Sequence, residues 1–178
     1  MRYFDELVKA MKMLSDHERV VFLGQSVEFP GHALFNTMTE VPKEKRIELP
    51  VVEDFQMGLS TGMALEGWIP VSIFPRWDFL ILASNQLVNH LDKIPIISFG
   101  KMVPKVIIRT TAGSVRPLNP GVQHCQDHTE AFKLMLKTVE VIDIQEPDQI
   151  VPSYDRALNR TDGKSTLLVE HMDYYGEK

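Results

Sequence analysis

Six short apolar runs recur along this chain, and helical patterns fill most of the intervals between them. The runs are Arg19–Gly24, Arg46–Pro50, Ile69–Phe74, Lys105–Thr110, Val139–Ile144 and Thr166–Glu170. They are apolar at successive positions instead of alternating, so strands formed from them bury both faces. The first segment carries Phe4, Leu7, Val8, Met11 and Leu14 at helical spacing and ends near Ser15-Asp16. Further helices are expected over 52–66, 78–91, 129–137 and 147–160, with a short one over 33–39. Pro147 sits at a favoured first helical position, and Pro152 is a place for a bend. In the helix over 52–66 Phe55, Leu59, Met63 and Ala64 fall on one side, and Gly58 and Gly62 lie four apart. The stretch 111–126 holds Gly113, Pro117, Pro120 and Gly121 and reads as loop. Alternating strands and helices of this kind predict an α/β fold: three layers, a mostly parallel sheet with helices on both faces. Ligands of such sheets bind beyond the carboxyl ends of the strands. The loops after Leu23, Leu49, Phe74 and Thr110 are the places to search.

Composition narrows the function classes. The 178 residues are 44% hydrophobic and 24% charged, ordinary globular values that suit one domain with its own core. The net charge is −5 and the basic residues are scattered, which argues against nucleic acid as a partner. Cys125 is the single cysteine, so neither an intrachain disulfide nor a cysteine-rich zinc site is available. The N-terminus carries Arg2, Asp5, Glu6 and Lys9 and lacks the apolar core of a secretory signal. No segment is long and apolar enough to span a membrane, and a cytoplasmic location is expected. Dinucleotide, P-loop, zinc-peptidase and nucleophile-elbow motifs are all missing.

Three places carry candidate chemistry. Glu53 follows the second apolar run and opens a helix; a first-turn glutamate suits the helix dipole, and a carboxylate walled by apolar residues can also share a proton with a ligand. Phe74, Trp77 and Phe79 cluster after the third run. Aromatics of this kind are usually core, but the last two lie where a flat ligand could stack. His124, with His128 nearby, lies in the long loop as an exposed histidine or as a proton carrier at the mouth of a site. Cys125 beside it has nothing to activate a thiolate.

The order of these features resembles the pyrimidine-binding domain of thiamine-diphosphate-dependent enzymes, in the transketolase-like superfamily. The nearest likeness is to the N-terminal half of the beta subunit of 2-oxoacid (pyruvate) dehydrogenase first components. Val20-Val21-Phe22-Leu23-Gly24-Gln25-Ser26-Val27 is similar to that family's V-V-x-x-G-E-D-V. The segment 46–67 is similar to its R-V-x-x-x-P-I-x-E-x-x-x-x-G-x-A-x-G-x-A-x-x-G. The segment 70–93 follows a third pattern with Ala83, Gln86, Asn89 and Lys93 in place, and Gln123-His124-Cys125-Gln126 resembles its H-S-Q.

By this resemblance Glu53 is the glutamate that bonds the cofactor's aminopyrimidine ring. Phe79 packs on that ring with Trp77 and Phe74 beside it, Gln25 borders it, and His124 handles protons or holds a substrate anion. Gln25 stands where the family often has an acid, Ile73 where it often has glutamate, and Cys125 where it has serine. The diphosphate-and-metal motif, G-D-G with a distal asparagine, is missing; Thr161-Asp162-Gly163-Lys164 is a different pattern. The resemblance therefore implies one pyrimidine-binding domain over 1–178, with the diphosphate-binding domain and the C-terminal transketolase-type domain absent from it. The implied cofactors are thiamine diphosphate and Mg2+, the metal ligands coming from a separate alpha-type chain in an α2β2 assembly. The implied substrate is a small 2-oxoacid. Two rivals are a split transketolase-like enzyme, with Arg76, Arg109 and Arg116 as phosphate contacts, and a non-catalytic relic of the fold. The presence of both Glu53 and His124 speaks against the latter.

Overall fold

The computed structural model describes residues 1–116 and 119–177. Its centre is a sheet of six strands, β1 Val20–Gly24, β2 Arg46–Glu48, β3 Ile69–Ile73, β4 Ile107–Ala112, β5 Glu140–Asp143 and β6 Thr166–His171. Their order is β2-β1-β3-β4-β6-β5, and every pair is parallel. The expected architecture is thus the observed one, and each expected strand is present with its ends shifted by a few residues. β4 runs further than expected. Thr111 and Ala112 pair with Glu170 and His171, so they belong to the strand and not to the loop. Pro117 of that loop lies outside the described residues.

The period of two along each strand divides the core. Ile107 and Leu168 face α1 (Tyr3–Ser15) and α7 (Pro147–Asn159). Ile108 and Leu167 face the other layer, with α3 (Glu53–Leu65), α4 (Trp77–Leu80) and α6 (Thr129–Met135). The short α2 (Ala33–Asn36) joins the first layer through Leu34. α7 starts as the sequence suggests, with Pro147 in its first turn and a capping box between Glu146 and Gln149. α5 (Ile94–Ile97) and α8 (Tyr174–Glu177) complete the chain. The stretch expected as one helix over 78–91 divides into α4, a 3-10 turn at Ile81–Ala83 and a π-helical segment at Asn85–Leu91. Among the described residues no helix is long and apolar enough to cross a membrane.

α3 turns a largely polar side to the sheet. Its inward face is Glu53, Gln56, Met57, Ser60, Thr61 and Ala64, while Phe55 is 56% exposed and Leu65 44%. Small polar residues can be buried here because the helix satisfies them itself. Ser60 donates to the Gln56 carbonyl at 2.8 Å and Thr61 to the Met57 carbonyl at 2.9 Å. Of the apolar side, Ala64 is buried and Leu59 and Met63 are half-buried, while Phe55 points outward. Gly62 lies on the open side, with nothing within 4 Å of the place a Cβ would occupy.

Asp92 fixes the approach to β5. Its Oδ1 accepts backbone N–H bonds from Lys137 (2.9 Å), Thr138 (2.7 Å) and Val139 (2.9 Å), and its Oδ2 meets the Lys93 ammonium. Burial opposes its ionisation, but Lys93 and the three amides outweigh burial and hold its carboxyl below the usual range. A depressed folded pKa gives stability that is complete above the unfolded value, about 3.9, and is lost as pH falls through the folded one. Asp92→Ala should therefore cost about 2–3 kcal/mol at pH 7 in urea denaturation, from buried amides left unpaired. The gap to wild type should narrow below about pH 4.

Candidate functional site

The carboxyl ends of β1, β3, β4 and β6 surround one cleft of about 830 Å³. Gln25 and Ser26 enter it from β1, Pro75 and Arg76 from β3, Ser114 and Arg116 from β4, and Met172 and Asp173 from β6. The chain order reverses direction across the sheet at β1/β3, so the cleft lies where open parallel sheets place their ligands. His32, Phe79 and Tyr175 complete the wall.

Gly24 ends β1 because nothing larger fits. A Cβ there would lie 2.5 Å from the Ile73 carbonyl oxygen and 3.3 Å from Gln56 Nε2. That amide donates to the Ile73 carbonyl (2.9 Å) and to Ser72 Oγ (3.1 Å), which ties α3 to the end of the sheet. Glu53, the first residue of α3, is 5% exposed, and its Oε1 accepts from Gln25 Nε2 at 3.0 Å. A neutral amide is a suitable neighbour, because it donates to a carboxylate that a second acid would repel. Glu53 borders the cleft through this contact with Gln25, a residue of its lining.

His124 ends a 3-10 turn, Val122–His124, and its ring lies 5.6 Å from that of Phe79 at 31°. Arg76 holds this loop. Its Nη1 donates to the carbonyls of Gly113 (2.7 Å) and His124 (2.8 Å). His124 is thus one layer behind the wall, through Phe79 and Arg76, and its Nδ1 is buried without a hydrogen-bond partner. Cys125 donates its thiol to the Ser114 carbonyl at 3.2 Å.

The structure gathers Gln25, Glu53, Phe79 and His124 about one cleft and places the other two aromatics elsewhere. Trp77 is fully buried, packs on Phe132 with ring centroids 4.8 Å apart, and donates its indole N–H to Thr129 Oγ1 at 3.2 Å. Phe74 is fully buried in the same layer. Both rings are taken up by the core beneath the cleft, as read for Phe74, and of the three aromatics Phe79 is the one in the cleft wall. Arg109 is corrected too. It is buried in β4 and bonded to Glu170 of β6, through Nε at 2.5 Å and Nη2 at 2.9 Å, so it is not a surface phosphate contact. The sequence reading overlooked His32, Ser26 and Tyr175. For His32 a signal existed, a lone histidine after Pro30-Gly31 in the loop that follows β1.

No family model matches the chain. It is similar to pyruvate dehydrogenase E1 component subunit beta of Chlorokybus atmophyticus, 24% identical over 179 residues that cover 98% of this chain and 52% of that protein. It is similar also to the chloroplastic pyruvate dehydrogenase E1 component subunit beta-3 of Arabidopsis thaliana, 26% identical over 132 residues, 74% of this chain and 31% of the other. Among solved structures, a split gene transketolase, an inactive beta4 tetramer, matches with a TM-score of 0.62 and 16% identity, over 96% of this chain and 51% of that one. The chain spans about half or less of the length of these relatives.

Proposed function

We propose that this chain, similar in sequence to pyruvate dehydrogenase E1 beta subunits and built on the transketolase-like fold, is the pyrimidine-binding part of a thiamine-diphosphate-dependent enzyme. The carrying observation is Glu53, buried at the first turn of α3 and hydrogen-bonded to Gln25, beside a cleft that Phe79 walls at the strand ends. These residues fit the ring half of that cofactor: a carboxylate, an aromatic face and a roomy, mainly apolar wall. When bound, thiamine diphosphate supplies the electron sink for breaking a bond next to a carbonyl. Glu53 would hold a proton at the ring nitrogen opposite the exocyclic amine, Gln25 would keep that carboxylate in place, and Phe79 would pack on the ring. His124 would move a proton on the substrate or hold its anionic end.

The reaction we favour is decarboxylation of a 2-oxoacid with transfer of the remaining acyl or aldehyde unit. The diphosphate and Mg2+ would be held by an alpha-type chain, in an α2β2 assembly. The outward apolar face of α3, with Phe55, Leu65 and the open Gly62, is the surface we assign to chain–chain packing. A second reading, ketol transfer between sugar phosphates, draws on Arg76 and Arg116 in the cleft wall.

The test is a tagged pull-down from the native host followed by calorimetry of the purified assembly. The expected result is a co-purifying chain that carries the G-D-G…N motif, and an assembly that binds thiamine diphosphate with Mg2+. A chain that purifies alone, or an assembly that ignores the cofactor, overturns the reading.

A further inference from the structure

Arg76, in the cleft wall after β3, is held at both ends. Its backbone carbonyl accepts the N–H groups of Phe79 and Leu80, each at 3.1 Å, and the Pro75 carbonyl before it accepts the Thr111 hydroxyl at 2.7 Å. At the far end, Nη1 has two hydrogens, and the carbonyls of Gly113 (2.7 Å) and His124 (2.8 Å) take both. Gly113 precedes Ser114 of the wall, and the His124 ring packs on Phe79 of the same wall. The two bonds therefore keep the guanidinium in the wall as well as the backbone.

Three N–H groups remain, one on Nε and two on Nη2. Among the described residues none accepts a hydrogen bond from them, and no carboxylate pairs with Arg76. Neither nitrogen is sealed from solvent: the enclosed side-chain atoms without partners include Nη1 of Arg109 and no atom of Arg76. Asp173, the acid of the cleft lining, is turned to the backbone, where its Oδ1 accepts from Val115 (3.1 Å) and Arg116 (3.2 Å). Nε and Nη2 together form the fork with which Arg109 grips Glu170. Arg76 offers that same fork to the cleft.

We propose that Nε and Nη2 of Arg76 bind an oxyanion of the substrate side-on, which makes Arg76 the residue that selects acidic ligands. The inference deepens the reading of the cleft as substrate-facing and rests on it. The fork matches two oxygens of a carboxylate or two of a phosphate, so the acid group of a 2-oxoacid and the phosphate of a sugar phosphate are two sources of one chemistry. Because Arg76 is oriented before a ligand arrives, little freedom is lost on binding. With the anion on Arg76, the ring of His124 is left to the proton.

The test uses the full chain labelled with 13C and 15N, so that the Nε–H signal of Arg76 is assigned through its own side chain. The probes are pyruvate, its uncharged methyl ester and inorganic phosphate. The signal should shift saturably with at least one of the two anions and stay in place with the ester. Tighter binding of pyruvate identifies the acid group of a 2-oxoacid as the source, and tighter binding of phosphate that of a sugar phosphate. Arg76→Lys keeps the charge and a donor for the two carbonyls but loses the fork; calorimetry should show the preferred anion bound about tenfold or more weakly. The comparison of anion with ester needs no variant, so it decides the matter even where the urea midpoint shows that Arg76→Lys has lost its fold. No shift with either anion, an equal shift with the ester, or a folded Arg76→Lys that binds like the wild type overturns the proposal. Partner capture and thiamine diphosphate binding by the assembly do not require Arg76. They can succeed while this proposal fails, and their failure is seen separately.

Discussion

Arg109→Met should destabilise the protein by about 3–5 kcal/mol, the cost of leaving one partner of a buried ion pair without its counter-charge. Arg109 and Glu170 are both 0% exposed, on neighbouring strands in the middle of the sheet. Glu170 also accepts the hydroxyls of Tyr154 and Tyr175, and the phenol of Tyr175 lies 3.3 Å from Arg109 Nη2. Burial, reinforced by the Glu170 charge, pushes both phenols well above their ordinary range, so they stay protonated and donate. Without the guanidinium these two hydroxyls are the donors left to Glu170, too little for a carboxylate out of water. The measurement is the urea midpoint at pH 7, with slope unchanged. The double variant Arg109→Met/Glu170→Leu should recover a large part of the loss, since two apolar groups leave no charge stranded. A single-variant cost below about 1 kcal/mol would mean that water reaches the pair.

Glu53→Gln in the assembly with its partner should lower turnover by about 10²–10⁴-fold, the usual range for losing a positioned proton donor or acceptor. The fold should not suffer, because the new amide oxygen can still accept from Gln25 Nε2, now 3.0 Å from Oε1. Turnover and the urea midpoint measured on the same sample separate the two effects. Activity that survives the change removes Glu53 from the chemistry; a large drop in the midpoint assigns it to stability.

The sheet was legible because its signal is redundant. Each strand is an apolar run with a boundary, and β4 and β6 alternate so regularly that Ile107 and Ile108 lie in different layers. The parallel arrangement follows from helical lengths of chain between the runs. The face of α3 was not legible. Periodicity shows Phe55 and Leu59 on one side without saying what that side meets, and Gln56, Ser60 and Thr61 go inside on bonds that hydropathy does not count. The roles of aromatics were only half legible. Trp77 and Phe79 lie two positions apart, and just which one turns to Phe132 and which to the cleft depends on how α4 meets the sheet. Arg109 does leave a clue in the sequence: it is the one cation within β4, and Glu170 is the one anion within β6. Opposite charges buried in neighbouring strands need one another.

The chain's first helix closes its last contacts. Tyr3 donates its hydroxyl to the Ile144 carbonyl, 141 residues away, and accepts the N–H of His171, 168 residues away. With all six strands parallel there is no hairpin in the sheet to nucleate it, and every strand pair must close a long segment first. Such topology pays loop-closure entropy before contacts return anything, which puts folding in the slow, milliseconds-to-seconds range of small domains. During synthesis α1 emerges before the elements it packs against, and Leu7, Met11 and Leu14 have no complete layer to cover until α7 and β6 have left the ribosome. The apolar face of α1 is therefore the surface on which a nascent chain of this protein depends longest for protection from aggregation.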